Sequence, residues 1–425
     1  MMKSNFSMIE NDEHIPFAKE YSLLASSSFP EWFLKFKRQG FESYLKNYET
    51  INPFISNFIS GDDFKHPLCD VAPSFDIMLK YPMLDVEAYT IVLVNGRYSS
   101  ELSSEEELPF SIFSDGILCS LNDDADFLDD KLRCDDNALV ALNSAYLSNG
   151  IVVDVADNTK LEKPIHIISI VCSDTQKLFV NPRIVVKVGK NSFVDIIESN
   201  FSLDEKYFEN KVCQFDIGEN SFVNHYRYYN VSQNSCMAEN NFFTISDYAK
   251  FNQAVFIKQM GIFRSFYQFD AEKEIKFDSV LSVDAKNKEN SDISFLIKHN
   301  KDDAVSNVSL FATVNDEADV NFMTSVQCAN GTSGVDTAQI SRILLNSPNA
   351  KGRIKPLQDI WSEKVKAYHG AVISGVDKKD LFFLESRGID TESAKILVLK
   401  SCLANILQNI HNEKISDAFY NLIWL

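Results

Sequence analysis

A near-identical hexapeptide occurs twice in this chain, Gly189–Val194 as GKNSFV and Gly218–Val223 as GENSFV, with the second copy 29 residues after the first. The same step from an apolar to a polar residue recurs at Phe251-Asn252, Phe277-Asp278 and Val305-Ser306, each after a polar turn, giving successive intervals of 29, 28, 26 and 28 residues. A period in this range is the mark of a solenoid, whose units bury their apolar faces only against their neighbours. The runs between the turns are short and β-rich: GIVVDV, PIHIISIV, RIVVKV, VCQFDI, NFFTI, AVFIK and VSLFATV. Strand-forming units without helical periodicity predict a parallel β-helix for residues 151–365. The competing reading is an antiparallel sandwich with turns at similar spacing.

The flanks read differently. In PEWFLKFKRQGFESYLKNY, Trp32, Phe33, Phe36, Phe41, Tyr44, Leu45 and Tyr48 fall three to five apart, which predicts a helical pair broken at Gly40. Residues 1–150 are expected to be helical and mixed, with acidic loops such as 103–107 and 122–130. A helical region is expected over 366–425. Asp377 would cap a first helix through Leu381–Glu385, and Gly388 stands where a left-handed stop is wanted. Asp390 would cap a second helix striped by Ala394, Val398, Cys402, Leu403, Ile406, Leu407 and Ile410. A last helix would start near Ile415. These helices are expected to pack on the last rung and cover its open edge.

Composition narrows the function. With 41 basic and 60 acidic side chains the formal charge is −19, and no local basic patch offsets the repulsion from a nucleic-acid backbone. No apolar run is long enough to span a membrane. The N-terminal MMKSNFSMIENDEHIPF has no continuous apolar core, so a cytoplasmic location is expected. Eight scattered cysteines suggest reduced, mostly buried thiols and no metal knuckle. There is no GxxxxGK[ST], GxGxxG, HExxH or GxSxG, so ATP, if used, is bound by another chain. Of seven histidines, His166 and His225 lie in strand-like runs and read as structural, whereas His299 and His369 are the candidates for function. A β-helix also admits a carbohydrate lyase or hydrolase, with Asp195, Glu198, Arg227 and Arg264 as its cluster.

The stretch 341–390, SRILLNSPNAKGRIKPLQDIWSEKVKAYHGAVISGVDKKDLFFLESRGID, resembles the SufB/SufD family of iron–sulfur cluster assembly proteins. The matching elements are Lys355-Pro356-Leu357, His369-Gly370-Ala371, Leu381-Phe382-Phe383-Leu384 and Ser386-Arg387-Gly388-Ile389. LEKPIHI at 161–167, the GxNSFV units, Gly261 with Arg264, Asp292 and His299 follow in family order. The likeness covers about 140–410, and FESYLKNYETINPF carries nothing of the family's N-terminal pattern. Leu384 replaces the cysteine usual in SufB, and HGA replaces its HEA, which favours the SufD branch. Ala367 stands where some SufD members have a cysteine.

The resemblance implies a right-handed parallel β-helix between helical regions. It also implies a non-catalytic scaffold that pairs with SufB and docks the SufC ATPase, with a homodimer possible in isolation. By position, His369 would be an iron or cluster ligand at the SufB interface. Leu381, Phe382, Phe383, Leu384, Arg387, Gly388 and Ile389 would contact SufC. The cofactor would be a transient iron–sulfur cluster shared with SufB, and a reduced flavin as in some such complexes.

Overall fold

The structure, a computed structural model, describes residues 15, 17, 21, 31–60, 64, 84–106, 108–114, 137–147, 150–172, 177–202, 206–362 and 364–424. Its strands wind into two long sheets. The first is ten strands wide and runs from Arg97–Ser99 and Tyr89–Val94 through Ile165–Val171, Phe193–Ser202, Phe222–Asn230, Lys250–Gln259, Lys276–Ala285, Val305–Val314 and Ser333–Leu345 to Lys364–Gly375. The second begins at Ser111–Ser114 and passes through Gly150–Val155, Arg183–Val188, Tyr207–Ile217, Cys236–Ile245, Ile262–Ala271, Asn290–His299 and Asp319–Cys328 to Lys351–Ile360. The chain alternates between the sheets, so neighbours within each are one rung apart and pair in parallel. This is the predicted parallel β-solenoid, and the sandwich is excluded. Among the described residues, only the outermost strands Arg97–Ser99 and Ser111–Ser114 pair antiparallel.

The sequence period is the rung. Val194, Val223, Phe251 and Phe277 stack in register one above another. The last predicted mark is one residue early, because Phe277 pairs with Ser306 while Val305 pairs with Lys276. Ser306 turns into the lumen, where its hydroxyl lies 3.0 Å from His299 Nε2 and 2.8 Å from Thr337 Oγ1. A small polar side chain thus takes a place that apolarity alone would give to valine.

The repeated hexapeptide is a corner. Asn158, Asn191 and Asn220 have φ of 58°, 55° and 56°, a left-handed conformation that asparagine tolerates better than most residues. Their amides form a ladder, Asn191 Nδ2 donating to Asn158 Oδ1 at 3.1 Å and Asn220 Nδ2 to Asn191 Oδ1 at 2.9 Å. Ser221 Oγ donates to the Gly189 carbonyl at 2.7 Å. A Cβ on Gly218 would sit 2.7 Å from the Gly189 backbone, so the rungs meet there at glycine distance. Inside, rings stack from rung to rung, Phe243 on Phe269 at 4.6 Å and Tyr267 on Phe295 at 4.5 Å, and Phe269 leans tilted on Phe277 of the facing sheet at 4.1 Å. Such stacking explains part of the high phenylalanine content.

Helix α1 (Glu31–Asn47) is continuous through Gly40, so the predicted break is not there. A Cβ on Gly40 would lie 2.8 Å from Ser144 Cβ and 2.9 Å from Ala145 N; the glycine lets α1 pack against α3 (Ala138–Tyr146), while α2 (Pro53–Ser60) follows α1 in sequence. The side chain of Trp32 lies outside the described residues, as do His14, His66, Cys69, Cys119, Cys134 and the acidic loop 122–130.

The C-terminal helices are α4 (Lys378–Glu385), α5 (Thr391–Leu403) and α6 (Glu413–Trp424). Asp377 accepts from Lys379 N at 2.8 Å and Asp390 from Ser393 N at 2.9 Å, the two predicted caps. The helices do not cover the last rung. Leu403, Ile406, Ile410, Ile415, Phe419 and Ile423 pack instead on the outer face of the first sheet, against Ile168, Ile197, Tyr226, Ala254 and Phe256. Those outward side chains are themselves apolar or aromatic, so the flank gives the helices an apolar surface to bury. The strands of the solenoid reach back to Tyr89 and on to Gly375, past the 151–365 span read from sequence.

Candidate functional site

With the helices on the flank, the solenoid ends in two open strands. Among the described residues nothing pairs with the far edges of Lys351–Ile360 or Lys364–Gly375. Along both strands every residue is exposed or only half-buried, whereas the preceding rungs alternate with buried positions. Trp361 is 72% exposed and Tyr368 61%, with Leu357, Val372 and Ile373 also exposed. Apolar side chains beside unpaired strand edges mark an interaction surface.

His369 lies on this last rung and is exposed. Its register partner is Gln339, which is buried. Gln339 Nε2 donates to the Leu357 carbonyl at 3.3 Å, while its Oε1 is buried without a partner. Gln358 Nε2 and Thr324 Oγ1, on the last two strands of the second sheet, are likewise buried without partners. Sequence reading singled out His369 and missed these three; the signal available for Gln339 was its place one rung before His369.

A second exposed apolar feature lies on α4. Phe382 is 71% exposed and Phe383 55%, and α4 has no buried residue. The Arg387 guanidinium sits 3.6 Å from the centre of the Phe383 ring. Gly388 takes φ of +85° and Ile389 N donates to the Leu384 carbonyl at 3.3 Å, closing the helix. Ile396 and Leu397 on α5 are exposed too, while Leu381 and Leu384 are half-buried.

Of the other described histidines, His411 is exposed, while His166, His225 and His299 belong to the interior. His166 Nε2 lies 2.8 Å from Ser199 Oγ, and burial lowers its ring to about 4, so it is neutral at physiological pH. His299 is buried and lowered to about 4 by the same cause. His225 joins a buried ionic cluster in the lumen. Its Nε2 is 2.7 Å from Glu198 Oε1, Lys211 Nζ is 2.9 Å from Glu198 Oε2, and Arg227 lies 3.4 Å from both Glu198 and Glu239. Burial alone would raise the Glu198 carboxyl, but Arg227, Lys211 and His225 outweigh it and hold it well below the usual range.

Asp195, Glu198, Arg227 and Arg264 do not share a face. Glu198 and Arg227 are in the lumen, Asp195 accepts from Asn412 beside the C-terminal helices, and Arg264 lies near Phe54 of α2. No carbohydrate-cleaving cluster is assembled from them. Of the cysteines described, Cys213, Cys236, Cys328 and Cys402 are buried and Cys172 is half-buried. No helix of the described residues is long and apolar enough to cross a membrane.

Two buried carboxyls give the fold a pH dependence. Burial pushes Glu209 up to about 7 and Glu289 up to about 8, above the roughly 4.5 of an unfolded glutamate. The folded chain therefore holds more protons than the unfolded one in that interval, and stability falls as pH rises through it. Urea unfolding between pH 5 and pH 8.5 should show this decline, with a shallower slope in Glu289→Gln. An unchanged slope would remove Glu289 from the account.

Comparison with known proteins agrees with the architecture. The family description "SUF system FeS cluster assembly, SufBD core domain" matches residues 171–402, and "SufBD protein N-terminal region" matches 62–167, so the family likeness begins well before residue 140. An iron–sulfur cluster assembly SufBD family protein of Synechocystis sp. is 26% identical over 333 residues, 75% of this chain and 74% of that one. The protein named SufD in Escherichia coli is 22% identical, covering 78% of this chain and 77% of its own length. Its namesake in Bacillus subtilis is 23% identical over 87% of this chain and 86% of the relative. A core description that spans more than half of the chain, on a parallel β-solenoid, places this protein in the SufBD family of iron–sulfur cluster assembly proteins.

Proposed function

We propose that the chain is a non-catalytic, cytoplasmic scaffold subunit of a SufD kind, which pairs end-on with a SufB-like paralogue and docks a SufC-like ABC ATPase. The observation that carries this reading is the uncovered last rung, with exposed apolar side chains, open strand edges and His369 on one strand. A partner solenoid would continue the edge hydrogen bonding and bury Trp361 and Tyr368. The transient cluster is cargo. A neutral imidazole suits iron, and among the described residues no three His, Cys, Asp or Glu side chains are grouped to hold a metal. His369 would supply one ligand and the paralogue the others.

The ATPase would dock on α4, where Phe382 and Phe383 project beside Arg387. A large aromatic with a cation over its ring is a typical anchor of an interface. Native mass spectrometry of the complex purified from its host should find this chain with one paralogue and an ATPase. Phe383→Asp should cut recovery of the ATPase at least tenfold and leave the paralogue bound. Undiminished ATPase recovery would remove the α4 surface, and a chain purified without a paralogue would overturn the scaffold reading.

A further inference from the structure

One column of lumen-facing side chains climbs the first sheet: His225, Gln253, Ser279, Val308, Gln339 and His369 are successive register partners. It holds two histidine–glutamine neighbours, one in the middle of the solenoid and one at its open end. The inner pair shows what the arrangement does. Gln253 Oε1 accepts from Ser279 Oγ at 2.9 Å, so its amide turns the other way and Nε2 lies 3.3 Å from His225 Nδ1. With Glu198 Oε1 at 2.7 Å from Nε2, each ring nitrogen of His225 has one assigned role. The glutamine one rung away fixes the tautomer.

At the open end the polarity is reversed. The Leu357 carbonyl can only accept, so Gln339 must face it with its NH₂, as the 3.3 Å contact shows. That leaves Oε1 as a buried acceptor with no partner, an unfavourable state. His369 stands directly above it in register, and no hydrogen bond to another described residue assigns either of its ring nitrogens. We propose that Gln339 is a positioning residue for His369: its Oε1 accepts one ring N–H, selects one neutral tautomer and leaves the other nitrogen's lone pair facing out of the solenoid mouth. Ligand histidines are commonly oriented by such a partner on the second nitrogen. The functional weight of this pairing rests on reading His369 as a ligand; the pairing itself is argued from the register and the unpartnered Oε1 alone.

The test reads the tautomer in the full chain labelled with ¹⁵N-histidine, under mildly alkaline conditions, with the His369 signal assigned by its loss in His369→Ala. The wild type should show one dominant tautomer of His369. Gln339→Met, which keeps the volume and removes the acceptor, should give a mixture of both forms. Gln339→Glu, whose carboxylate accepts the same N–H, should restore the single form. Identical His369 signals in all three proteins would overturn the proposal, as would a wild type that is already mixed. In the assembled complex, Gln339→Met should lower the rate of cluster formation by roughly 10- to 100-fold, with recovery in Gln339→Glu. If His369→Ala forms clusters normally while the ring signals still follow residue 339, the ligand reading fails and the positioning contact stands.

Discussion

Glu198→Ala should destabilise the protein by about 3–5 kcal/mol, because it leaves two cations and a histidine in the lumen without their shared anion. Glu198, Lys211, His225 and Arg227 are all essentially inaccessible to solvent. The carboxylate binds Lys211 at 2.9 Å through Oε2 and His225 at 2.7 Å through Oε1, with Arg227 at 3.4 Å. Glu239 is 3.9 Å from Lys211 and also holds Arg227 and the Tyr229 hydroxyl, so it does not replace what Glu198 supplies. Coulomb attraction in so dry a place is large, but desolvation of each ion is of the same order. The loss on breaking the cluster therefore reflects stranded charge more than net attraction. Glu198→Gln should fall between wild type and alanine, since the amide keeps the shape and one acceptor. Urea denaturation followed by circular dichroism reads the difference, and a loss under about 1 kcal/mol for alanine would mean that water enters the lumen and solvates the cations.

His369→Ala should abolish cluster maturation while leaving the complex assembled. The side chain is exposed, so its removal costs the fold little. Its strand pairs through backbone register with Ser333–Leu345, and Tyr368, Val372 and Ile373 remain to meet a partner. Binding and chemistry should thus separate at a single position. The measurement pairs recovery of the paralogue and ATPase with the visible absorption of a cluster reconstituted on the purified complex. Normal cluster formation would sink the ligand role; loss of the paralogue would instead make His369 an interface residue.

Much of the solenoid was legible because a rung repeats its corner chemistry as well as its apolar faces. Asn191 and Asn220 sit in left-handed turns and Ser192 and Ser221 bond to the rung before, so GKNSFV and GENSFV are written in side chains that the turn needs. The register slipped only at Ser306, where a hydroxyl serving His299 took an apolar place. The caps at Asp377 and Asp390 and the stop at Gly388 were readable for the same local reason. What sequence could not show was direction. The stripe through Leu403, Ile406 and Ile410 announced a buried face but not what buries it, and the flank of the sheet won over the rung's end. Gly40 read as a break because a glycine is silent about a neighbouring helix that fits against it. Glu198 and Arg227 were grouped from sequence, but with Asp195 and Arg264 on a supposed carbohydrate face; Lys211 and Glu239 were missed because the four meet only after two rungs have wound.

The two ends of the solenoid differ in a way that limits growth. At one end the sheets stop at antiparallel strands of three and four residues, Arg97–Ser99 and Ser111–Ser114; at the other they stop at parallel strands of ten and twelve. Short, reversed strands make poor templates for another chain, whereas the long pair invites one. A fibre needs two adhesive ends on every unit, and among the described residues this unit has one. End-to-end association of the kind proposed would therefore close after a single partner, whether a paralogue or a second copy related by a two-fold axis, and a rod of such units would terminate as a pair.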